Sequence, residues 1–273
     1  MKKIGFIGAG NMASSLIKGL LNADYDVSCI RASDPKPSEQ LLDLGIELVN
    51  DNPEITRWAD VIVLAVKPQS MQAVCRQISA QVKTQPLLVI SIAAGIRSDA
   101  IIKWLQVPVP CIRVMPNTPA MYGAGMSGLF ANNHAGQDDI NTASAIMQTA
   151  GKVIHFPNED MIDAVTAISG SGPAYFFLLI EHMISAGTEL GLSETDARLL
   201  ATQTALGAAT MALQPEADVA DLRRRVTSPG GTTERALQTF IDGGFPQLVT
   251  AAVHAAAERS RELSAQLEAN KND

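Results

Sequence analysis

Short hydrophobic runs alternate with amphipathic segments through the first half of the chain. The runs are rich in Val and Ile and predict β-strands at residues 3–7, 27–31, 61–66, 87–92 and 111–115. Amphipathic segments between them predict helices near residues 12–23, 69–82 and 98–105. Strands and helices that alternate in this way are typical of a parallel, doubly wound sheet. The run at residues 61–66 has no polar alternation, which indicates a central strand covered on both faces.

The pattern changes after about residue 160, where β-branched runs give way to segments rich in Ala, Leu, Glu and Gln. Ser193 precedes Asp196 at capping-box spacing and predicts the start of a helix that runs to about residue 213. Pro246 predicts the start of another helix, which runs to about residue 267. We therefore expect an α/β domain over residues 1–160 and an all-helical domain over residues 161–273.

The most apolar part of the second domain covers residues 175–184. This stretch is too short to cross a bilayer and contains Glu181 and His182, so it is interpreted as a buried helix. The domain as a whole carries much aliphatic surface. This favours the hypothesis that its helices pack against a second copy of the chain, in a dimer or a larger homo-oligomer. A self-contained helical bundle is the alternative.

Composition and charge restrict the possible partners and compartments. The 273 residues are 47% hydrophobic and 18% charged, which allows a sizeable core in two domains. A net charge of −7 argues against a nucleic acid or an anionic membrane as partner. The scattered cysteines Cys29, Cys75 and Cys111 have no metal-site spacing, and no secretion signal precedes the first strand. We expect a cytoplasmic protein without a metal site.

A glycine-rich segment follows the first predicted strand and opens the first predicted helix. Residues 8–13 read GAGNMA, the G-x-G-x-x-A pattern of dinucleotide-binding loops. Gly8 allows a tight turn, and Gly10 lets a pyrophosphate approach the backbone. Free N–H groups at the helix N-terminus favour the phosphate charge. The sequence therefore predicts an NADH or NADPH site that includes Ile7, Gly8, Ala9, Gly10, Asn11 and Met12.

The second strand should end beside the adenosine ribose, where its residues point to two different cofactors. Asp34 can accept hydrogen bonds from both ribose hydroxyls, which favours NADH. Arg31, Ser33 and Lys36 can instead hold a 2′-phosphate, which favours NADPH. Both cofactors therefore stay open. Two turns after central strands should line the nicotinamide side, and they contain Ala65, Val66, Lys67 and Pro68 and then Ala93, Ala94 and Gly95.

A late turn has the composition of an anion-binding site. Residues 227–233 read TSPGGTT and lead into the apolar run at residues 236–241, as at the start of a helix. Successive N–H groups of Gly230 and Gly231 can form a nest for an anion such as a carboxylate. The hydroxyls of Ser228, Thr232 and Thr233 add further donors. The alternative is a plain helix cap with glycine in a tight turn.

Six strings of residues together resemble the pyrroline-5-carboxylate reductase family. They are FIGAGNM, AVKP, SIAAG, RVMPNTP, DAVTAISGSGPAYFF and VTSPGGTT, in the family's order, and they cover nearly the whole chain. The resemblance implies an N-terminal Rossmann α/β domain and an all-α C-terminal dimerisation domain. It also implies reduction of Δ1-pyrroline-5-carboxylate to L-proline by NADPH or NADH, the final step of proline biosynthesis.

The resemblance further implies roles for individual residues. The small substrate, a cyclic imine carboxylate, should contact Glu159, Ser228, Gly230, Gly231, Thr232 and Thr233. The Thr233 hydroxyl should lie near the ring nitrogen as the catalytic group. Asn52 and Asn117 should join the cofactor site, and Glu216 should face the substrate, although its surroundings match the family poorly. Asp34 departs from the small hydroxyl residue common in the family, which puts the usual NADPH preference in doubt.

Two other functions share parts of this pattern. β-Hydroxyacid dehydrogenases are similar in joining such a fingerprint to an all-helical domain, but they use a lysine of that domain as proton carrier. Residues 153–270 contain no lysine, which argues against this chemistry. A non-catalytic NAD(P)-binding protein would keep the fingerprint without needing an anion nest beside two threonines.

Overall fold

The computed structural model describes residues 1–36, 41, 43–214, 216 and 218–269. Contacts divide the chain into two compact units. The first contains the described residues of Met1–Ser171 and of Ala256–Asp273, and the second is Gly172–Ala255. The first unit therefore extends beyond residue 160, the boundary predicted from the sequence, and it also includes the end of the last helix.

The first unit is built on an eight-stranded sheet with the strand order β3-β2-β1-β4-β5-β6-β7-β8. The strands are β1 (Ile4–Ile7), β2 (Ile30–Ser33), β3 (Glu47–Leu48), β4 (Val61–Leu64), β5 (Leu88–Ser91), β6 (Cys111–Met115), β7 (Gly125–Ala131) and β8 (Gly151–His155). All neighbours pair in parallel except β6 and β7, which are antiparallel. The order reverses between β1 and β4, the position at which doubly wound sheets bind their ligands.

Helices cover both faces of this sheet. Those of the first unit are α1 (Asn11–Asn22), α2 (Asn52–Trp58), α3 (Pro68–Val82), α4 (Ser98–Leu105), α5 (Gln137–Gln148) and α6 (Met161–Val165). Val61 and Val63 of β4 share a hydrophobic cluster with residues of α1, whereas Ile62 and Leu64 share another with residues of α3. The prediction of a central strand covered on both faces is therefore confirmed.

The second strand begins later than the sequence predicted. Strand β2 starts at Ile30, because residues Val27–Cys29 form a 3₁₀ turn instead of its first residues. Asp26 caps this turn, since its Oδ1 atom accepts a hydrogen bond from the Ser28 backbone N–H at 2.9 Å. A capped turn satisfies backbone groups that a strand would otherwise have to pair.

The second unit is helical, as predicted. It contains α7 (Gly172–Glu189), α8 (Glu194–Ala212), α9 (Val219–Arg225), α10 (Thr232–Asp242) and the first part of α11 (Phe245–Ala269). Ser193 caps α8, because its Oγ atom accepts a hydrogen bond from the Asp196 N–H at 3.1 Å. The predicted start of this helix is therefore confirmed. A π-helical turn, Thr166–Gly170, separates α6 from α7.

The apolar stretch at residues 175–184 is helical, but the prediction that it is buried is wrong for the single chain. Phe176 and Phe177 of α7 are 66% and 63% exposed. A contiguous apolar surface of this kind usually marks an interaction site. By length and composition, the helical segment Met161–Glu189 is also long and apolar enough to cross a membrane. One such segment is weak evidence for a membrane protein, because core helices of other proteins meet the same criteria.

Candidate active site

Gly8 is fixed by the close approach of three strand ends. Its φ angle is +97°, and a Cβ atom there would lie 2.6 Å from the carbonyl carbon and oxygen of Ala65. The Gly8 N–H donates a hydrogen bond to the Ser33 carbonyl oxygen at 2.8 Å. A side chain at this position would both strain the backbone and collide with the end of β4. The glycine-rich loop is thus held between β1, β2 and β4.

Gly10 has the opposite environment, because a Cβ atom at this position would have no neighbour within 4 Å. Gly10 caps α1 and has no side chain to satisfy the first amides of the helix. Asn11 is exposed and Met12 half-buried beside it. The open surface above Gly10 and the uncapped helix start fit a phosphate group. The residues present therefore fit the dinucleotide cofactor that the sequence predicts.

The end of β2 carries a carboxylate that touches the glycine-rich loop. The Ala9 N–H donates a hydrogen bond to Asp34 Oδ2 at 2.8 Å, and the Lys36 N–H donates to Asp34 Oδ1 at 2.7 Å. The Ser33 hydroxyl donates to Asn52 Oδ1 at 2.7 Å. Four residues predicted for the cofactor site, Ala9, Ser33, Asp34 and Asn52, are thus brought together at this end of the sheet.

Arg31, one of the residues considered for a 2′-phosphate, is engaged elsewhere. Its guanidinium pairs with Glu47 at 2.8 Å and lies over the Trp58 ring at 4.4 Å from the centroid. The Arg31 guanidinium therefore already has an ion-pair partner in Glu47 and a cation–π partner in Trp58. The side chain of Lys36 is exposed.

The two predicted turns follow β4 and β5, which are neighbours in the sheet. Parallel strands end at the same edge, so the turns at residues 65–68 and 93–95 share the edge with the glycine-rich loop. Lys67 is exposed and precedes α3 directly. Gly95 is buried instead, and a Cβ atom there would lie 3.5 Å from Leu267 Cδ1. Its backbone therefore packs against the last helix.

Asn117, also predicted for the cofactor site, joins three segments of the first unit. Its Nδ2 atom donates to the Ser169 carbonyl oxygen at 3.1 Å and lies 3.2 Å from the Ser169 hydroxyl. Its Oδ1 atom accepts from the Met126 N–H at 2.8 Å. The side-chain amide thus connects the end of β6, the start of β7 and the π-helical turn.

Glu159 is buried and makes ionic contacts inside the first unit. Its carboxylate accepts hydrogen bonds from the Ser98 N–H at 2.7 Å and from the Ser98 hydroxyl at 2.8 Å. Arg113 Nη1 lies 3.2 Å from the same carboxylate and is also buried. Glu159 therefore caps α4 and neutralises a buried arginine. Arg113 lies within the predicted strand at residues 111–115, but nothing in the sequence indicates which carboxylate neutralises it.

The turn at residues 227–233 begins α10, as predicted, but its glycine amides are engaged within the turn. The Gly230 N–H donates to Glu234 Oε2 at 2.7 Å, and the Gly231 N–H donates to the Ser228 carbonyl oxygen at 3.0 Å. Gly231 is the N-cap residue of α10 and has no side chain to cap the helix. The backbone N–H groups of Thr232 and Thr233 at the start of α10 therefore have no side-chain cap from this position. Glu234 was not among the predicted site residues. It lies four residues after Gly230, about one helical turn, so its contact with the Gly230 N–H depends on the start of α10.

Exposure differs among the residues predicted for the substrate site. Thr233 is half-buried, whereas Ser228, Gly230 and Thr232 are exposed. Glu216 is exposed too, and its neighbours 215 and 217 lie outside the described residues. The predicted cofactor residues and Glu159 belong to the first unit, and residues 227–233 belong to the second.

Two family models match the chain. The model described as pyrroline-5-carboxylate reductase dimerisation matches residues 159–263. The model described as NADP oxidoreductase coenzyme F420-dependent matches residues 3–95. The second match covers the glycine-rich loop and the ends of β2, β4 and β5, and the first covers Glu159 and the start of α10.

Individual relatives match over nearly the whole chain. The chain is 49% identical to the pyrroline-5-carboxylate reductase of Pseudomonas aeruginosa, over 97% of this chain and 98% of the relative. The solved pyrroline-5-carboxylate reductase of Coxiella burnetii has a TM-score of 0.91 at 42% identity, covering 96% and 98% of the two chains. The Plasmodium falciparum pyrroline carboxylate reductase, solved with NADP bound, has a TM-score of 0.87 at 31% identity, with the same coverage. With this identity over this length, the chain belongs to the pyrroline-5-carboxylate reductase family.

Proposed function

We propose that this protein reduces Δ1-pyrroline-5-carboxylate to L-proline with NAD(P)H, in the final step of proline biosynthesis. The observation that carries the proposal is the open cradle above Gly10, where no neighbour would meet a Cβ atom and α1 begins without a side-chain cap. Membership of the pyrroline-5-carboxylate reductase family specifies the reaction for which this site binds its cofactor.

The first unit supplies the cofactor site. The amides that start α1, at Asn11 and Met12, bind the pyrophosphate, and Gly8 shapes the turn beneath it. Residues 65–68 and the exposed Ala94 line the nicotinamide side, while Ala93 and Gly95 are buried beneath this turn. When bound, the reduced nicotinamide supplies a hydride. Asn117 acts on this side by holding the turn after β6 against Ser169.

The second unit supplies the substrate site. The substrate carboxylate binds the amides of Thr232 and Thr233 together with the Ser228 hydroxyl, while Gly230 and Gly231 shape the turn. The Thr233 hydroxyl hydrogen-bonds the ring nitrogen and holds its proton. A protonated cyclic imine is already electrophilic, so positioning supplies much of the catalysis, up to about 7–11 kcal/mol. Carbon C5 gains the hydride, the nitrogen keeps the proton, and L-proline results.

The protein self-associates through the region that matches the dimerisation model, residues 159–263. We infer a dimer or a larger homo-oligomer in which the exposed face of α7, with Phe176 and Phe177, becomes covered. We also infer a cytoplasmic location, because proline synthesis draws on the cellular pool of reduced nicotinamide. Light scattering on the purified protein tests the assembly, and a mass equal to one chain would contradict it.

An assay of the purified protein tests the function. The imine is mixed with NADH or NADPH, oxidation of the cofactor is followed by absorbance, and proline is identified among the products. We expect stoichiometric proline. The same protein with NAD(P)⁺ and β-hydroxyacids should give no reduced cofactor. Absence of proline with both cofactors, from protein that binds them, would overturn the proposal.

A further inference from the structure

The carboxylate of Asp34 lies at the end of β2 and against the glycine-rich loop. Its Oδ2 atom accepts from the Ala9 N–H at 2.8 Å, and its Oδ1 atom accepts from the Lys36 N–H at 2.7 Å. In dinucleotide-binding sheets, the end of the second strand faces the ribose of the adenosine. A fixed negative charge therefore lies where the 2′ position of the cofactor is recognised.

This carboxylate keeps acceptor capacity for a ribose. Each carboxylate oxygen can accept about two hydrogen bonds, and each oxygen of Asp34 uses one for a backbone N–H. The side chain is half-buried, so it remains accessible from the crevice. The 2′- and 3′-hydroxyls of NADH can both donate to it. A 2′-phosphate carries a charge of about −1.5 to −2 and is repelled by it.

Among the described residues 31–36, the side chains that could hold a phosphate are mostly engaged with other groups. Arg31 pairs with Glu47 at 2.8 Å and lies over the Trp58 ring. The Ser33 hydroxyl donates to Asn52 at 2.7 Å and is buried. Lys36 has an exposed ammonium, but its backbone N–H binds the Asp34 carboxylate and so keeps the negative charge in place.

We propose that Asp34 makes this protein prefer NADH to NADPH. The preference in binding follows from the geometry of Asp34 alone. The preference in catalysis rests also on the proposed function, because that function supplies the reaction. Like charges held close together at a protein surface repel each other more strongly than in bulk water, because the effective dielectric constant is lower there. We therefore expect at least about tenfold tighter binding of NADH, since tenfold corresponds to about 1.4 kcal/mol.

Direct binding is the primary test. Dissociation constants of NADH and NADPH are measured by calorimetry for the native protein and for Asp34→Asn and Asp34→Ser. Asparagine removes the charge and can still accept the hydrogen bond from the Ala9 N–H through its amide oxygen, although its NH₂ group cannot accept from the Lys36 N–H. We expect both variants to bind NADPH about tenfold more tightly than the native protein does, and NADH more weakly. The control is Asp138→Asn, which neutralises an exposed aspartate in the first turn of α5.

The same proteins are assayed for kcat/KM with the imine and each cofactor. Equal or tighter binding of NADPH by the native protein would overturn the inference, as would an unchanged NADH-to-NADPH ratio in folded Asp34→Asn and Asp34→Ser. Binding in the expected ratio without proline formation would contradict the proposed function and support the inference about Asp34.

Discussion

The backbone N–H of Gly230 and the carboxylate of Glu234 form a hydrogen bond of 2.7 Å at the start of α10. The turn proposed to bind the substrate carboxylate thus already contains a carboxylate of the chain itself. Two negative charges in one turn repel each other, although solvent screens the effect because Glu234 is exposed. Glu234 should therefore weaken the binding of a second anion.

Replacing Glu234 by glutamine should lower KM for the imine by about two- to fivefold and leave kcat unchanged, which corresponds to at most about 1 kcal/mol of removed repulsion. The glutamine amide oxygen can still accept from the Gly230 N–H, so the turn is retained. Steady-state kinetics measure the effect. Glu194→Gln is the matched control, because Glu194 lies in the first turn of α8 in the same unit. An unchanged or raised KM would contradict the prediction.

Loss of the Thr233 hydroxyl should lower kcat/KM for the imine. The expected loss for Thr233→Ala is about 1.5–3 kcal/mol, or roughly ten- to 150-fold, because a hydrogen bond to a charged group is removed. Thr233→Ser keeps the hydroxyl and should retain most of the activity. Thr239→Ala on the same helix is the control, since the Thr239 hydroxyl donates to the Arg235 carbonyl oxygen within the helix. Full activity of Thr233→Ala would show that the hydroxyl is not catalytic.

The sequence predicted those parts of the fold in which local pattern and burial agree. Strand β4, Val61–Leu64, was predictable because a strand covered on both faces is continuously apolar. Strands β3, β7 and β8 and helices α2 and α5 were missed. The sequence of β7, GMSGLFA, contains two glycines and pairs antiparallel at the outer part of the sheet, so neither its composition nor its periodicity indicates a strand.

The candidate site likewise contains residues that the sequence predicted and contacts that it did not. Gly8 and Gly10 were predictable, because the backbone of a dinucleotide-binding loop demands glycine at both positions. The partners of Glu159 and Asn117 were not predictable, since Ser98, Arg113 and Ser169 come from distant parts of the chain. Contacts of this kind depend on packing between elements, which residue spacing along the chain does not encode.

The two glycines of the loop should respond differently to alanine. Gly8→Ala should lower the free energy of unfolding by several kcal/mol, because φ is +97° and the new Cβ would lie about 2.6 Å from the Ala65 carbonyl group. Gly10→Ala should change stability by less than about 1 kcal/mol, because the new Cβ meets no neighbour.

For Gly10→Ala the loss should appear in cofactor binding, with a dissociation constant raised at least about tenfold, because the methyl group occupies the phosphate cradle. Denaturant unfolding and calorimetric titration measure the two quantities on the same protein preparations. Normal cofactor affinity of Gly10→Ala would show that the phosphate binds elsewhere.

Two of the three cysteines should be unreactive in the folded protein. Burial raises the pKa of Cys75 to about 12, and burial followed by the nearby Glu159 charge raises the pKa of Cys111. Both thiols are therefore protonated at pH 8, and their stabilising contribution is lost only as the pH rises from about 9 towards 12. A thiol reagent at pH 8 should modify Cys29 at most, and unfolding should expose Cys75 and Cys111 as well. Reaction of Cys75 in the folded protein would contradict this.

Glu159 was predicted to contact the substrate, whereas its contacts with Ser98 and Arg113 indicate a structural role. This structural role can be tested. Glu159→Ala leaves Arg113 buried without its carboxylate and removes the cap of α4, so the free energy of unfolding should fall by about 3–5 kcal/mol. The neighbouring Asp160 is the control. Its carboxylate is 69% exposed and pairs with Arg97 at 2.7 Å, so Asp160→Ala should cost less than about 1 kcal/mol.

The milder variant Glu159→Gln separates structure from substrate binding. Glutamine has the same shape and can still accept one hydrogen bond from Ser98, but it cannot neutralise Arg113. If the role is structural, denaturant unfolding shows lower stability while KM for the imine in the folded enzyme stays the same. A raised KM at unchanged stability would instead contradict the structural role and support the predicted contact between the Glu159 carboxylate and the substrate.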